Sequence, residues 1–306
     1  MERGFPEPLE PGGRGFSGPR PGLFPYLLLS PTVILLAALT VYPLLFILRL
    51  SLTRMGAEGE TFVGAGNFLR AFQDPFFLQA AGQTLILTVS ALALEFGLGL
   101  GLALLLHGPI RARSLWRSVF LLPLILPPVV VGVMGRLVYN PSFGPLNGFL
   151  AALGIDTRGL TWLADPRMAL AAVIAVDVWE WTPFVFLILL AGLQAIPEEP
   201  YEAARLDGAG PWHTFRYITW PLLTPAILVA LLLRSMDLLR LFDTVFLLTQ
   251  GGPGFATETV SLYIYKTAFR FLDFGYAAAL SLLLLAATLL LSRFLLRFFR
   301  LSGSPA

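Results

Sequence analysis

Six stretches of this chain are so apolar and so long that only membrane-crossing helices can accommodate them, and no other feature restricts the fold as strongly. They lie at about 26–50, 82–106, 117–139, 169–193, 217–248 and 277–297, each near the roughly 20 residues a helix needs to cross a hydrocarbon core about 30 Å thick. Unpaired backbone amides and carbonyls are too costly in lipid, so each stretch must satisfy its own hydrogen bonds as a helix. The prediction is an all-α integral membrane protein with six transmembrane helices. The longest connections, near 51–81, 140–168 and 249–276, are shorter than a soluble domain of typical size, which leaves one membrane domain over 23–301. The Pro- and Gly-rich segment 1–22 cannot bury apolar surface and reads as a disordered cytoplasmic tail, and 302–306 as a short C-terminal tail. The first apolar run lacks a small-residue cleavage site and reads as a retained anchor.

Charge sets the orientation. With the N-terminus inside, Arg3, Arg14, Arg20, Arg111, Arg113, Arg117, Arg205, Arg216, Arg293, Arg297 and Arg300 are cytoplasmic. Arg54, Arg70, Arg158, Arg167, Lys266 and Arg270 are then outside. Eleven against six favours a multi-pass protein with both termini in the cytoplasm. The net charge of +2 sits at membrane edges rather than on one basic face, so no nucleic-acid partner is implied. With no cysteine and only His107 and His213, disulfides are excluded and no metal centre is expected.

Two segments bend the simple picture. Phe68, Phe72, Phe76 and Phe77 recur at near-helical spacing, as in a short helix lying at the outer interface or an ordinary packed loop helix. Pro123, Pro127 and Pro128 inside the third stretch remove helical hydrogen bonds and permit kinks.

The connection between the fourth and fifth stretches, IPEEPYEAARLDGAGPWHTFRYITWP, is the most specific signal. Glu202, Ala203, Ala204, Gly208, Ile218 and Pro221 stand in the order E-A-A-x3-G-x9-I-x-x-P. Pro200 suits the first turn of a helix, Glu198, Glu199 and Glu202 complement its positive end, and Gly208 is placed to end it. Asp207-Gly208 reads as a reversal, Pro211 as the start of a second short helix, and Pro221 as the beginning of the fifth stretch. The small Ala203 and Ala204 would let a partner approach closely, and a short stiff helix would transmit displacement that a loose loop absorbs.

Charges inside a span are costly and default to functional roles. The fourth stretch carries Asp177, Trp179, Glu180 and Trp181, with Phe184 on the helical face of Glu180; the fifth carries Arg234, Asp237, Arg240 and Asp243 at successive spacings of three. Carboxylates accept hydroxyl protons, guanidinium groups donate, and indole rings cover the apolar face of a pyranose, so a sugar path through Asp177, Glu180, Trp181, Asp237, Arg240 and Asp243 fits the chemistry. The alternative is a local ladder, Arg234 with Asp237 and Arg240 with Asp243. Arg136 can snorkel and receives no role.

The loop motif resembles the cytoplasmic coupling loop of binding-protein-dependent ABC importer permeases, with Trp220 where that family usually has Leu. The segments GNFLRAFQDPFF, WLADPRMAL and FDTVFLLTQGGP also look like parts of MalF-like carbohydrate-importer permeases, although the extra N-terminal spans and large periplasmic insertion of the maltose permease are missing. The resemblance implies a type I importer fold in a bacterial cell (inner) membrane, with a coupling loop over about 194–220. It implies ATPase-coupling roles for Glu202, Ala203, Ala204, Asp207 and Gly208, and sugar contacts near Glu180, Phe184, Asp237, Leu238 and Leu241. It also implies a second, MalG-like permease, two ATPase subunits and an extracytoplasmic sugar-binding protein as partners. ATP and Mg would be used by the ATPase chains, since the one lysine, Lys266, is not in a P-loop setting and no cofactor is expected here. A proton-coupled secondary transporter using Asp177, Glu180 and Asp237 is the competing reading, but it predicts a hydropathy repeat that the sequence does not show. A membrane enzyme has less support, because no nucleophile-and-base constellation stands out.

Overall fold

The apolar stretches become helices in a computed structural model that describes residues 23–56, 59–108 and 112–302. The tail expected over 1–22, residues 303–306 and Arg111 lie outside the described residues. Helix α1 (Leu23–Ser51) runs unbroken through Pro31 and Pro43. Its part up to Phe46 is a unit of its own, and the chain from Ile47 onward forms the second, which holds every candidate site residue.

One short hairpin accompanies the helices. Strands β1 (Thr53–Gly56) and β2 (Gly59–Phe62) pair antiparallel, with Thr53 opposite Phe62 and Gly56 opposite Gly59. Gly59, at φ +109°, takes a backbone conformation closed to other residues and lets the chain return on itself.

The phenylalanine-rich segment then divides. Phe68 and Phe72 belong to α2 (Gly66–Gln73), whereas Phe76 and Phe77 already lie in the long helix α3 (Pro75–His107). Asp74 causes the break: its carboxylate accepts the amides of Phe76 at 3.0 Å and Phe77 at 3.4 Å, and Pro75 occupies the first turn, where its missing N–H costs nothing. The third apolar stretch is not one straight span. Pro127 forces Leu126 into extended backbone, and α4 (Arg113–Ile125) and α5 (Pro128–Val138) meet at a bend of 94°.

After α6 (Pro145–Ala152), Asp165 caps α7 (Pro166–Gln194) through the amides of Arg167 and Met168, each at 2.9 Å, in the same Asp-Pro arrangement that starts α3. The chain continues through α8 (Glu199–Leu206), α9 (Pro211–Thr214), a π-turn (Phe215–Thr219) and α10 (Trp220–Leu239). It ends with α11 (Asp243–Leu248), α12 (Val260–Phe269) and α13 (Phe274–Ser302). Among the described residues five helices are long and apolar enough to cross a membrane, and the bent α4–α5 pair makes a sixth if it counts as one span.

Helices α3, α7 and α10 form the centre of the second unit. One buried apolar cluster joins Leu87, Ala91, Val173, Val178 and Leu238; a second joins Ala103, Val185, Phe186, Leu189 and Ile227. Between α3 and α7 the approach is close enough that a methyl group on Gly99 would lie 2.9 Å from a Val185 side-chain carbon and 3.1 Å from the Phe186 amide nitrogen. Van der Waals packing holds this contact, since lipid is as apolar as these side chains and burial from water cannot drive it, and glycine permits the close approach.

Candidate functional site

Between the two apolar clusters, α3, α7 and α10 each place one charged residue at the same level. Arg234 donates to Glu95 through Nε at 2.6 Å and Nη2 at 2.7 Å, and through Nη2 to Asp177 at 2.6 Å. All three side chains are essentially sealed from solvent. The alternative, a local ladder, does not form. Arg234 passes over Asp237 for two fully buried carboxylates on other helices, since a guanidinium at this depth needs bidentate, desolvated partners. Arg240 pairs with Asp237 at 3.0 Å instead of Asp243, because α10 ends at Leu239 and Asp243 starts the next helix. The uninterrupted fifth span expected to 248 is therefore broken at Arg240–Phe242.

Glu95 belongs to this cluster too, a residue outside the path expected from the sequence. The signal was present, a single carboxylate inside ALALEFGLGLG, where the rule for intramembrane charge applies as it does to Asp177. Asp177 and Glu180 each retain one buried carboxylate oxygen with no hydrogen-bond partner among the described residues. The Arg234 guanidinium lies 4.9 Å from the centre of the Trp181 ring, and Trp181 meets Phe184 edge-on at 6.0 Å. Leu238 is fully buried in the first cluster and Leu241 is half-buried beside it. Asp237 and Arg240 are open, with side chains 41% and 58% exposed, and Asp243 is exposed too. The proposed path residues thus fall into two sets: Asp177, Glu180, Trp181 and Phe184 around Arg234, and Asp237, Arg240 and Asp243 on the open face of α10 and α11, which continues the exposed stripe Leu222, Val229 and Leu233.

The loop that carries the E-A-A spacing is a capped helix. The Ala209 amide donates to the Ala204 carbonyl at 2.8 Å and the Gly208 amide to the Arg205 carbonyl at 3.1 Å, the two bonds of a Schellman cap, with Gly208 at φ +74°. Glu202, Ala203, Asp207 and Gly208 are exposed, and Leu206 is 90% exposed. Ala204 departs from expectation. Its side chain is only 8% exposed and faces its own chain, because successive helical residues point about 100° apart and Ala203 and Ala204 cannot share one outward face. Tyr201 also turns inward, its hydroxyl 3.2 Å from that of Thr219, beside a cavity of about 360 Å³ that reaches Leu104, His107 and Leu193.

Pro211 starts a second short helix, α9, as expected, but that helix does not stop before the fifth span. α9, the π-turn and α10 run on as one helical segment from Pro211 to Leu239, with the π-turn loosening the hydrogen-bond ladder just ahead of Pro221, which has no N–H to give it. Trp220 packs edge-on against Phe96 and Phe215, at 6.2 and 6.0 Å. This indole anchors the start of α10 to α3.

At the other end of the unit, Asp74 accepts the hydroxyls of Tyr263 at 2.6 Å and Tyr276 at 2.7 Å, and Arg70 pairs with Asp273 at 2.6 Å. Burial pushes the Asp74 carboxyl up, but the two tyrosine hydroxyls and the two backbone amides outweigh it and hold it below the usual value of 3.8. Lys266 donates to Glu258 and to the Gln250 carbonyl, which fixes the Gly251–Pro253 loop, while burial raises the Glu258 carboxyl against the pull of that lysine.

Residues 95–301 match the family described as binding-protein-dependent transport system inner membrane component. The chain is 36% identical over 260 residues, 84% of its own length and 87% of the relative's, to the trehalose/maltose transport system permease protein MalF of Thermococcus litoralis. It is 36% identical over 281 residues, 91% of each chain, to the sulfoquinovosyl glycerol transport system permease protein SmoG of Agrobacterium fabrum. It is 34% identical over 271 residues, 87% of its length and 91% of the relative's, to the lactose transport system permease protein LacF of Rhizobium radiobacter. A chain of a bacterial alginate ABC transporter, solved with an alginate-bound periplasmic protein, superposes with a TM-score of 0.81 at 24% identity, covering 92% of this chain and 96% of that one, a likeness of fold.

Proposed function

The chain belongs to the family of binding-protein-dependent transport system inner membrane components, and on that premise we propose that it is one transmembrane subunit of an ATP-driven sugar importer, forming half of the translocation path by alternating access. A second, MalG-like permease supplies the other half, two ATPase subunits dock on the cytoplasmic side and consume ATP and Mg there, and an extracytoplasmic binding protein delivers the sugar. Both termini face the cytoplasm. The observation that carries this reading is the α8 geometry. A short helix, capped at Gly208, turns Glu202, Leu206 and Asp207 outward while Ala204 is buried and the Tyr201 hydroxyl meets that of Thr219, at the start of α10. Force applied to the exposed side of such a helix reaches the start of α10 through that contact.

The cargo we propose is an α-glucoside, trehalose or maltose, supported by the name of the Thermococcus litoralis relative and by the Trp181 indole held beside Arg234. A binding screen of the cognate receptor against trehalose, maltose, lactose and sulfoquinovosyl glycerol tests the cargo. Coupling is tested separately: Glu202→Arg or Gly208→Pro is expected to abolish uptake while the receptor still binds its sugar. Uptake at the wild-type rate in both variants would refute the role given to α8.

A further inference from the structure

Arg234 has three acceptor bonds on one side and an aromatic ring on the other. Glu95 grips it through two bonds and Asp177 through one, so its planar group cannot swing, and it faces the Trp181 indole at 4.9 Å. A cation held over an indole in a desolvated setting gains more than the same pair in water. Trp181 itself is half-buried and has Phe184 on its edge, so the ring is held from two directions, by Arg234 and by Phe184.

We propose that Arg234 is a positioning residue for the sugar path: clamped by Glu95 and Asp177, it fixes the Trp181 indole in the orientation in which that ring can cover the apolar face of a pyranose. This rests on the sugar-importer reading above, and it gives Glu95 a role two contacts away from the sugar. Glu95 and Asp177 act through Arg234, and Arg234 acts through the ring. The arrangement sets how well the path accepts a flat sugar face, so loss of the clamp should weaken sugar handling before it stops turnover.

The chain has six tryptophans and can be labelled uniformly with 5-fluorotryptophan, giving six fluorine resonances, with that of Trp181 assigned by its disappearance in Trp181→Phe. Arg234→Lys keeps the charge between the two carboxylates and removes the planar fork. In the importer assembled from this labelled chain and unlabelled partners, the expected result is a Trp181 resonance that broadens or shifts while the other five stay in place. Alongside it, the half-saturating concentration for uptake of receptor-delivered trehalose should rise several-fold, by a larger factor than the maximal rate falls. A Trp181 resonance identical to wild type overturns the proposal. If all six resonances collapse in Arg234→Lys, Glu95→Gln decides: it leaves Arg234 charged and paired with Asp177 and should still disturb Trp181 alone, and an undisturbed Trp181 there is equally fatal. The spectrum is recorded without sugar, so a wild-type importer that ignores trehalose would refute the cargo while the positioning claim is judged on the fluorine lines.

Discussion

Removing Glu95 would leave Arg234 with one carboxylate in place of two, inside a layer from which water is excluded. A buried charge stripped of a partner costs about 3–5 kcal/mol, far more than an exposed pair such as Arg240–Asp237, whose contribution is about 0–1 kcal/mol. Glu95→Ala should therefore lower the thermal midpoint of the purified chain sharply while Asp237→Ala leaves it nearly unchanged, and similar midpoints would contradict the burial difference. Asp74 offers a pH test at the same scale. Its folded carboxyl is held below 3.8, so its stabilising contribution is complete above that value and is lost as pH falls through it toward the folded value. The stability gap between wild type and Asp74→Asn, followed by hydrogen exchange of α12, should be widest near neutral pH and close in acid; a gap that widens in acid would have the wrong sign. These residues were only partly legible in the sequence. Intramembrane charge marks Asp177 and Arg234 at once, and it marks Glu95 by the same rule, but spacing along one helix suggests partners three residues away. The true partners are 57 and 139 residues distant, and only packing brings them together.

The elements were easier to read where a chemical stop is written into the chain. Asp-Pro starts α3 and α7, Pro127 ends α4, and Gly208 closes α8. The end of α10 at Leu239 carries no proline or glycine. There the helix gives way at Arg240, whose Nε donates back to the Met236 carbonyl at 3.1 Å, an event that hydropathy over a continuous apolar run cannot show. The π-turn at Phe215–Thr219 is equally silent in composition. Gly208 yields the prediction proper to this scale. A residue with a Cβ at φ +74° is strained by about 1–2 kcal/mol, so Gly208→Val should loosen the last turn of α8 while the spans hold. Faster amide exchange confined to Ala204–Ala209, with ATP hydrolysis in the assembled complex no longer matched by uptake, is the expected pair of results. Exchange spreading through α7 and α10 would show that the cap supports the bundle as well as the lever.

Across the second unit, the charged residues sort by depth into a sealed set and an open one, and that division is what alternating access has to act on. Glu95, Asp177 and Arg234 tie α3, α7 and α10 together at one level, while Asp237, Arg240 and Asp243 line the free side of α10 and α11. If the tied helices move as one body, the open set changes compartment during the cycle and the sealed set never meets solvent. This chain has no cysteine of its own, so a single introduced thiol is the one site at which it can be labelled. Single cysteines at Asp237, Asp243 and Asp177 in the assembled importer, probed with a membrane-impermeant thiol reagent, should separate cleanly. The first two are expected to react from one side in the resting complex and from the opposite side once ATP is bound, and the third to stay unreactive in both states. Equal labelling of Asp177→Cys and Asp237→Cys would mean that the triad opens in the cycle, and that the rigid layer between the two apolar clusters is part of the gate.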